Sequence, residues 1–452
     1  MKTDDDTITA IATPAGFGGV GIVRISGPNA KLIAESVCRG VTCAPEGIYR
    51  DLKPREALFT SFFDQHNDLI DHGIALYFQH PHSFTGEDVV ELQGHGGPIV
   101  MDRLLQTVIA HGARLARPGE FTERAFLNKK IDLVQAEAIA DLIAANSVQA
   151  ARSAARSLQG VFSQKIHALQ KSLTTLRMQI EAMLDFPEED IDFMAQSSLQ
   201  DLLQQTIDAV KHVKNEAKQG VLLQSGLNVV IAGKPNVGKS SLFNYLSGRE
   251  SAIVTHIPGT TRDVLRESIQ IDGMPLHIID TAGLRDTTDV VEQEGVRRAT
   301  AQMNQADLIL LVTDASDSHT HTHTHTHMLV IRNKIDLTHE KPCVKHDNHQ
   351  TIIQVSVKNN QGLDLLIDEI KKIAGFQSEE TSGFIARRRH VDAIDRAYQI
   401  LLHGQQQLMQ HKAGELLAED LRLAQHTLSE ITGEFSSDDL LGKIFSSFCI
   451  GK

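Results

Sequence analysis

The sequence predicts a multidomain protein of class α/β plus α. A mixed α/β domain comes first, then a helical domain in two pieces with a second α/β domain inserted between them. Three observations carry this. Residues 233–240 read Gly-Lys-Pro-Asn-Val-Gly-Lys-Ser, a phosphate-binding loop in the middle of the chain and not near its start. Apolar residues recur at helical spacing on both sides of the segment that holds this loop. Before them, small and β-branched residues alternate as they do in a strand.

In chain order, residues 1–120 form the first α/β domain. Its strands are expected over Gly18-Gly-Val-Gly-Ile-Val-Arg-Ile-Ser-Gly27, Ile74–Phe78 and Val89–Gln93, and Gly96-Gly97 opens a helix through Ile99, Leu104, Leu105 and Val108. Residues 121–217 are helical. Leu169, Leu173, Leu176, Ile180 and Met183 mark one amphipathic helix that stops at Asp185-Phe-Pro187, and Leu199, Leu202, Leu203, Ile207, Val210 and Val213 mark the next. The inserted domain spans 218–378. The helical character returns over 379–452 with Ile394, Ala397, Ile400, Leu401, Leu416, Leu417, Leu421 and Leu428.

The inserted domain carries the most specific chemistry. The loop follows the apolar run Leu227–Ala232 and leads into Ser241–Leu246, the strand–loop–helix context a phosphate site needs. Gly233 and Gly238 let the backbone curl, so that amides along Asn236, Val237, Gly238, Lys239, Ser240 and Ser241 can face phosphate oxygens. Lys239 would reach the β and γ phosphates, and Ser240 would hold Mg²⁺. Downstream, Pro258-Gly-Thr-Thr-Arg-Asp263 is a switch I candidate whose threonine hydroxyl completes the Mg²⁺ shell. Asp280, at a strand end, faces the metal, and Thr281, Ala282 and Gly283 follow, with the Gly283 amide toward the γ-phosphate.

Asn333-Lys-Ile-Asp336 follows the run Met328–Ile331. The Asp336 carboxylate can accept both N1–H and the 2-amino group of guanine, and adenine offers neither donor, so GTP is expected over ATP. Ser356, Val357 and Lys358 fit the loop behind the base. Together these motifs predict a Ras-like G domain. A Ras-like switch places glutamine after Asp-x-x-Gly to orient water; Leu284 stands there instead. Asn236 could turn its carbonyl to a monovalent cation near the phosphates, or simply be a turn residue that tolerates left-handed geometry. Asp286, Glu292 and Glu294 are the acids near enough in sequence to orient water, and the residues alone do not choose among them.

Composition narrows the class. In 452 residues the formal net charge is −13, which argues against a surface that coats nucleic acid. The basic run Ala386-Arg-Arg-Arg-His390 reads as a solvated helix start. Cys38, Cys43, Cys343 and Cys449 lack metal or disulfide spacing, as suits a reducing cytoplasm, and the acidic N-terminus does not resemble a signal peptide. The alternating tract Ser318–His327 reads as a solvent loop and less well as a metal-binding strand. It lies between two expected parallel strands, where it leaves room only for a stunted crossover helix.

Ser83-Phe-Thr-Gly-Glu-Asp-Val-Val-Glu91, His95-Gly-Gly97, Arg117-Pro-Gly-Glu-Phe-Thr-Glu-Arg-Ala-Phe126 and the terminal Phe448-Cys-Ile-Gly-Lys452 accompany the inserted G domain. In these the chain resembles, along its whole length, the MnmE (TrmE) family of tRNA-modification GTPases. The resemblance implies a folate-binding-like fold for the N-terminal domain, which also forms a homodimer. It implies GTP hydrolysis by G-domain dimerisation around potassium, with Asn236, Thr255, Ile257 and Thr260 as K⁺ ligands and Thr261 beside Ser240 on Mg²⁺.

His256, Pro258 and Gly259 complete the family's nucleotide loop, and its catalytic glutamate falls on Glu292. The family's folate ligands fall on Arg24, Glu91, Lys130 and Lys452, for a 5-formyl- or 5,10-methylene-tetrahydrofolate. An FAD-dependent partner, MnmG (GidA), would join in a heterotetramer that installs an aminomethyl-type group on C5 of the tRNA wobble uridine. The alternative is a ribosome-assembly GTPase without modification chemistry; such factors carry basic RNA-binding modules, which the net charge and the Cys449–Lys452 tail disfavour.

Overall fold

The computed structural model describes residues 6–39, 51–185, 193–248, 266–280, 303, 306–316, 327–347, 350–376, 383–411, 414–434 and 438–451. The chain divides into two compact units, Met1–Ala140 with Ser429–Lys452, and Asp141–Leu428.

The first unit holds a mixed sheet of strands β1 (Ile8–Ile11), β2 (Gly18–Ser26), β3 (Cys38–Arg39), β4 (Ala57–Phe63), β5 (Leu69–Phe78), β6 (Val89–Gly96) and β7 (Arg114–Leu115), in the order β3-β4-β5-β6-β2-β1-β7. All pairs are antiparallel except β1 with β7. Alternation explains the core: Val23 and Ile25 of β2 and Val90 and Leu92 of β6 point to one face, where they meet Leu104 and Val108 of the helix Pro98–Ala110. Ile99, in the first turn of the same helix, is 75% exposed and stays out of this core.

The same unit takes in residues expected to belong to the helical domain. Leu133 and Ala136 of the helix Leu133–Ile143 bury against Leu441, Ile444 and Phe445 of the helix Asp438–Ser446, and against Phe448. The helix Leu133–Ile143 thus shares a core with the helix Asp438–Ser446 within this unit. Apolar periodicity reports that a helix has a buried face; it does not report which partner covers that face.

In the second unit, the helix Val161–Asp185 buries Leu169, Leu173, Leu176 and Ile180, and the helix Phe193–Ser225 buries Leu199, Leu203, Ile207, Val210 and Val213, as their spacing predicts. The latter runs past the boundary expected at 217/218. Gly220 does not break it: a Cβ there would lie 2.8 Å from the Ala386 amide nitrogen, so this glycine permits a close backbone approach. Gly226, at φ +66, ends the helix.

The run Ala386–His390 is also corrected. Ala386 and His390 are buried, the His390 ring meets the edge of Phe162, and Phe162 stacks on Phe384 with centroids 4.4 Å apart. Arg387 pairs with the buried Asp141 at 2.9 Å. Ala386, Arg387 and His390 thus anchor the start of the helix Arg388–His411, while Arg388 is exposed and pairs with Asp307 at 3.6 Å.

The inserted sheet comprises β8 (Leu227–Ala232), β9 (Arg266–Ile271), β10 (Met274–Asp280), β11 (Leu308–Asp314), β12 (Met328–Asn333), β13 (Cys343–Asp347) and β14 (Gln350–Gln354), in the order β13-β14-β12-β11-β8-β10-β9. The five inner strands are parallel, and β9 and β13 are antiparallel edges. β9 and β10 join through Asp272-Gly273, both at positive φ (51° and 84°), the conformation a two-residue primed turn requires. Residues 317–326, which include most of the histidine tract, lie outside the described residues.

Candidate functional site

The parallel register gathers the candidate residues at one sheet edge. Asp280 pairs with Ile231, Leu311 with Ala232, Asp314 with Asn333, and Arg332 with Gln354. The carboxyl ends of β8, β10, β11, β12 and β14 therefore lie together, where parallel sheets bind ligands.

Loop 233–238 joins β8 to the helix Lys239–Ser247. Gly233 (φ +144) and Gly238 (φ +102) supply its curl, and a Cβ on Gly238 would sit 2.2 Å from Asn333 Nδ2. Asn236 is left-handed at φ +63, so the loop's own geometry favours asparagine there whatever else it binds. The Lys239 ammonium donates to the carbonyls of Gly233 (2.9 Å) and Lys234 (2.7 Å), which fixes its charge inside the loop. Ser240, Ser241 and Asn236 are exposed. The helix has no side-chain cap at its N-terminus, so its first amides and Lys239 form a donor set that fits nucleotide phosphates.

Asn333 is buried and acts as a clasp. Its Nδ2 donates to the Val237 carbonyl (2.9 Å) and its Oδ1 accepts from the Val357 amide (3.1 Å), which ties the phosphate loop to segment 356–358. The Ser356 hydroxyl donates to Asp336 Oδ1 at 2.6 Å and so orients the expected base-reading carboxylate. Lys334, left-handed at φ +69, pairs with Asp314 at 2.7 Å. Asp314 carries no motif of its own in the sequence; the pairing of β11 with β12 brings it beside Asn333. The remaining expected residues Thr255, His256, Ile257, Pro258, Gly259, Thr260, Thr261, Thr281, Ala282, Gly283 and Glu292 lie outside the described residues, and Asp280 is described only as the last residue of β10.

Two family models match the chain, one described as the MnmE helical domain over residues 133–449 and one as the GTP-binding protein TrmE N-terminus over residues 7–130. Proteins named tRNA modification GTPase MnmE from Coxiella burnetii (strain Dugway 5J108-111), Vibrio cholerae (strain O395) and Legionella pneumophila (strain Corby) are 56%, 55% and 55% identical to it, and each match covers 99% of both chains. The chain belongs to the MnmE family of tRNA modification GTPases. Among solved structures, the G domain of the T. maritima FeoB iron transporter is 24% identical over 33% of this chain, with a TM-score of 0.24 that is too low to bear on the fold.

In this MnmE-family chain the N-terminal unit carries the second candidate site. Arg24 of β2 lies opposite Glu91 of β6 in register, and its Nε (3.0 Å) and Nη2 (2.8 Å) both donate to Glu91 Oε1. The remaining Nη1 donates to the Gly451 carbonyl, so the end of the chain reaches this pair within the same unit. A ligand with an acidic tail would have to share Arg24 with Glu91. Lys130 donates to the Pro81 carbonyl at 2.9 Å, and Lys452 lies outside the described residues.

The motif Arg117–Phe126 proves to be an ion network. Arg114 Nη2 donates to Glu120 (2.7 Å), while Arg124 reaches Asp6 (2.6 Å) and Glu87 (3.1 Å). Glu120 is 2% exposed. Burial alone would push its carboxyl up, but hydrogen bonds from Arg114 and the Arg117 amide, with the charges of both arginines, outweigh this and hold it at about 2.

Proposed function

We propose that this tRNA modification GTPase couples GTP hydrolysis in the inserted domain to installation of an aminomethyl-type (carboxymethylaminomethyl) group at C5 of the wobble uridine of certain tRNAs. The supporting observation is the Asn333 clasp beside Asp336. One buried side chain joins the phosphate loop to the base loop, and Ser356 orients a carboxylate suited to guanine's two donors. Lys239 and the helix amides take the phosphates, and Ser240 and Thr261 would hold Mg²⁺. Glu292 would orient water.

Asn236, Thr255, Ile257 and Thr260 would hold K⁺, which supplies positive charge where an arginine finger otherwise acts. In the N-terminal domain, Arg24, Glu91, Lys130 and Lys452 would take a tetrahydrofolate derivative as carbon donor, and the domain would pair with a second copy. The FAD-dependent MnmG would be the catalytic partner, in the cytoplasm. No described helix is long and apolar enough to cross a membrane. Mass spectrometry of tRNA from a strain lacking this gene tests the reading: loss of the C5 group at the wobble uridine is expected, and unchanged wobble uridines would overturn it.

A further inference from the structure

Asp314 ends β11 at the sheet edge that carries the candidate nucleotide site, and its carboxylate is immobilised on both sides. Oδ1 accepts from the Ser316 amide (3.0 Å) and hydroxyl (2.7 Å), and Oδ2 takes the Lys334 ammonium at 2.7 Å. The turn itself is anchored to β12: the Ala315 amide donates to the Asn333 carbonyl (2.8 Å), and the Arg332 guanidinium donates to the Ala315 carbonyl (2.7 Å). Lys334 stands two residues before Asp336, in a left-handed conformation that starts the short helix Ile335–Thr338.

The Lys334 ammonium is paired with Asp314, and a second carboxylate, Asp336, stands two residues further along the same short segment. Lysine is a compact point charge on a flexible stem, so the better-fixed carboxylate captures it. An ammonium paired with Asp336 would compete with the base for that carboxylate, because guanine offers neutral N–H donors and the ammonium a charged one.

We propose that Asp314 is a positioning residue for guanine recognition: it holds the Lys334 ammonium and leaves the Asp336 carboxylate to Ser356 and the base. This rests on the reading of Asp336 as the guanine acceptor. The Lys334 hydrogen bond, with those from the Ser316 hydroxyl and amide, holds the Asp314 carboxyl at about 2 against the opposing effect of burial, so it stays charged at any working pH. The role acts through Lys334, so it must vanish when the ammonium does. A merely structural turn residue would matter with or without that charge.

Calorimetric binding of GDP and of inorganic tripolyphosphate to the full chain separates the two. Asp314→Asn should weaken GDP about tenfold, the scale of one charge-assisted hydrogen bond, and leave tripolyphosphate unchanged. In a Lys334→Met background, Asp314→Asn should change GDP affinity less than about twofold. An Asp314→Asn protein that binds GDP like wild type overturns the positioning role, as does an equal loss in the Lys334→Met background or a parallel loss of tripolyphosphate binding. Asp336→Asn serves as the reference: if it leaves GDP affinity intact, the guanine reading itself fails, whereas a loss there with Asp314→Asn silent removes only the role of Asp314.

Discussion

Glu120→Gln keeps the shape of a buried side chain, removes its charge and turns one acceptor oxygen into a donor facing Arg114 or the Arg117 amide, so the pH-dependent part of its effect is what reports the charge. A carboxyl ordinarily near 4.5 and held at about 2 corresponds to roughly 3 kcal/mol of stabilisation at neutral pH. Glu120 is 2% exposed, but its partners Arg114 and Arg117 are 39% and 56% exposed, so solvent screening makes this figure an upper bound. The sign follows from linkage: a depressed pKa stabilises the fold above the unfolded-state pKa and loses that contribution as pH falls toward about 2.

Between about pH 6.5 and pH 3.5, close to 1.4 kcal/mol should disappear from wild type and not from the variant. Amide hydrogen exchange of the segment around Arg114–Leu127 reads this in the full chain, because the Arg114 and Ala116 amides donate to the Thr7 and Thr9 carbonyls and tie β7 to β1. After correction for intrinsic rates, the wild-type advantage in protection should be large at the higher pH and about tenfold smaller at the lower. An advantage of equal size at both would show that Glu120→Gln damages packing and that the charge contributes nothing. No advantage at the higher pH would remove the network's role altogether.

GTP turnover should be much faster in K⁺ than in Na⁺ at equal ionic strength, and Asn236→Ala should slow it and abolish the preference; equal wild-type rates in both salts would rule out the cation site. Glu292→Ala should bind GTP normally and lose most hydrolysis, whereas a loss from Asp286→Ala with Glu292→Ala unaffected would move the role to Asp286. Gly238→Ala places a Cβ 2.2 Å from Asn333 Nδ2 at a φ of +102°, so nucleotide affinity should fall by more than about tenfold; wild-type affinity for GDP would mean that the Asn333 clasp is dispensable.

The parts of the fold that could be read from sequence are those in which a local conformation demands particular residues. The loop 233–238 was legible because its curl needs glycine at positive φ, and the long helices because their spacing repeats over several turns. The inner strands β8 and β12 coincide with the apolar runs Leu227–Ala232 and Met328–Ile331, whereas the edges β9 and β13 carry no such run. Asp272-Gly273 is a strong hairpin signal, but the strand before it, Arg266-Glu-Ser-Ile-Gln-Ile271, lacks the continuous apolar run that marks the inner strands.

What stayed hidden depends on partners far away in the chain. Arg387 with Asp141, Arg24 with the Gly451 carbonyl, and Arg124 with Asp6 are pairs that no local pattern announces. Asn333 shows both cases in one residue. Its place in Asn-Lys-Ile-Asp pointed to the base, but its hydrogen bonds go to Val237 and Val357, so within the fold it sets the distance between phosphate and base loops. A side chain that spans two loops is constrained by both, and for that reason substitution there should disturb phosphate and base recognition together.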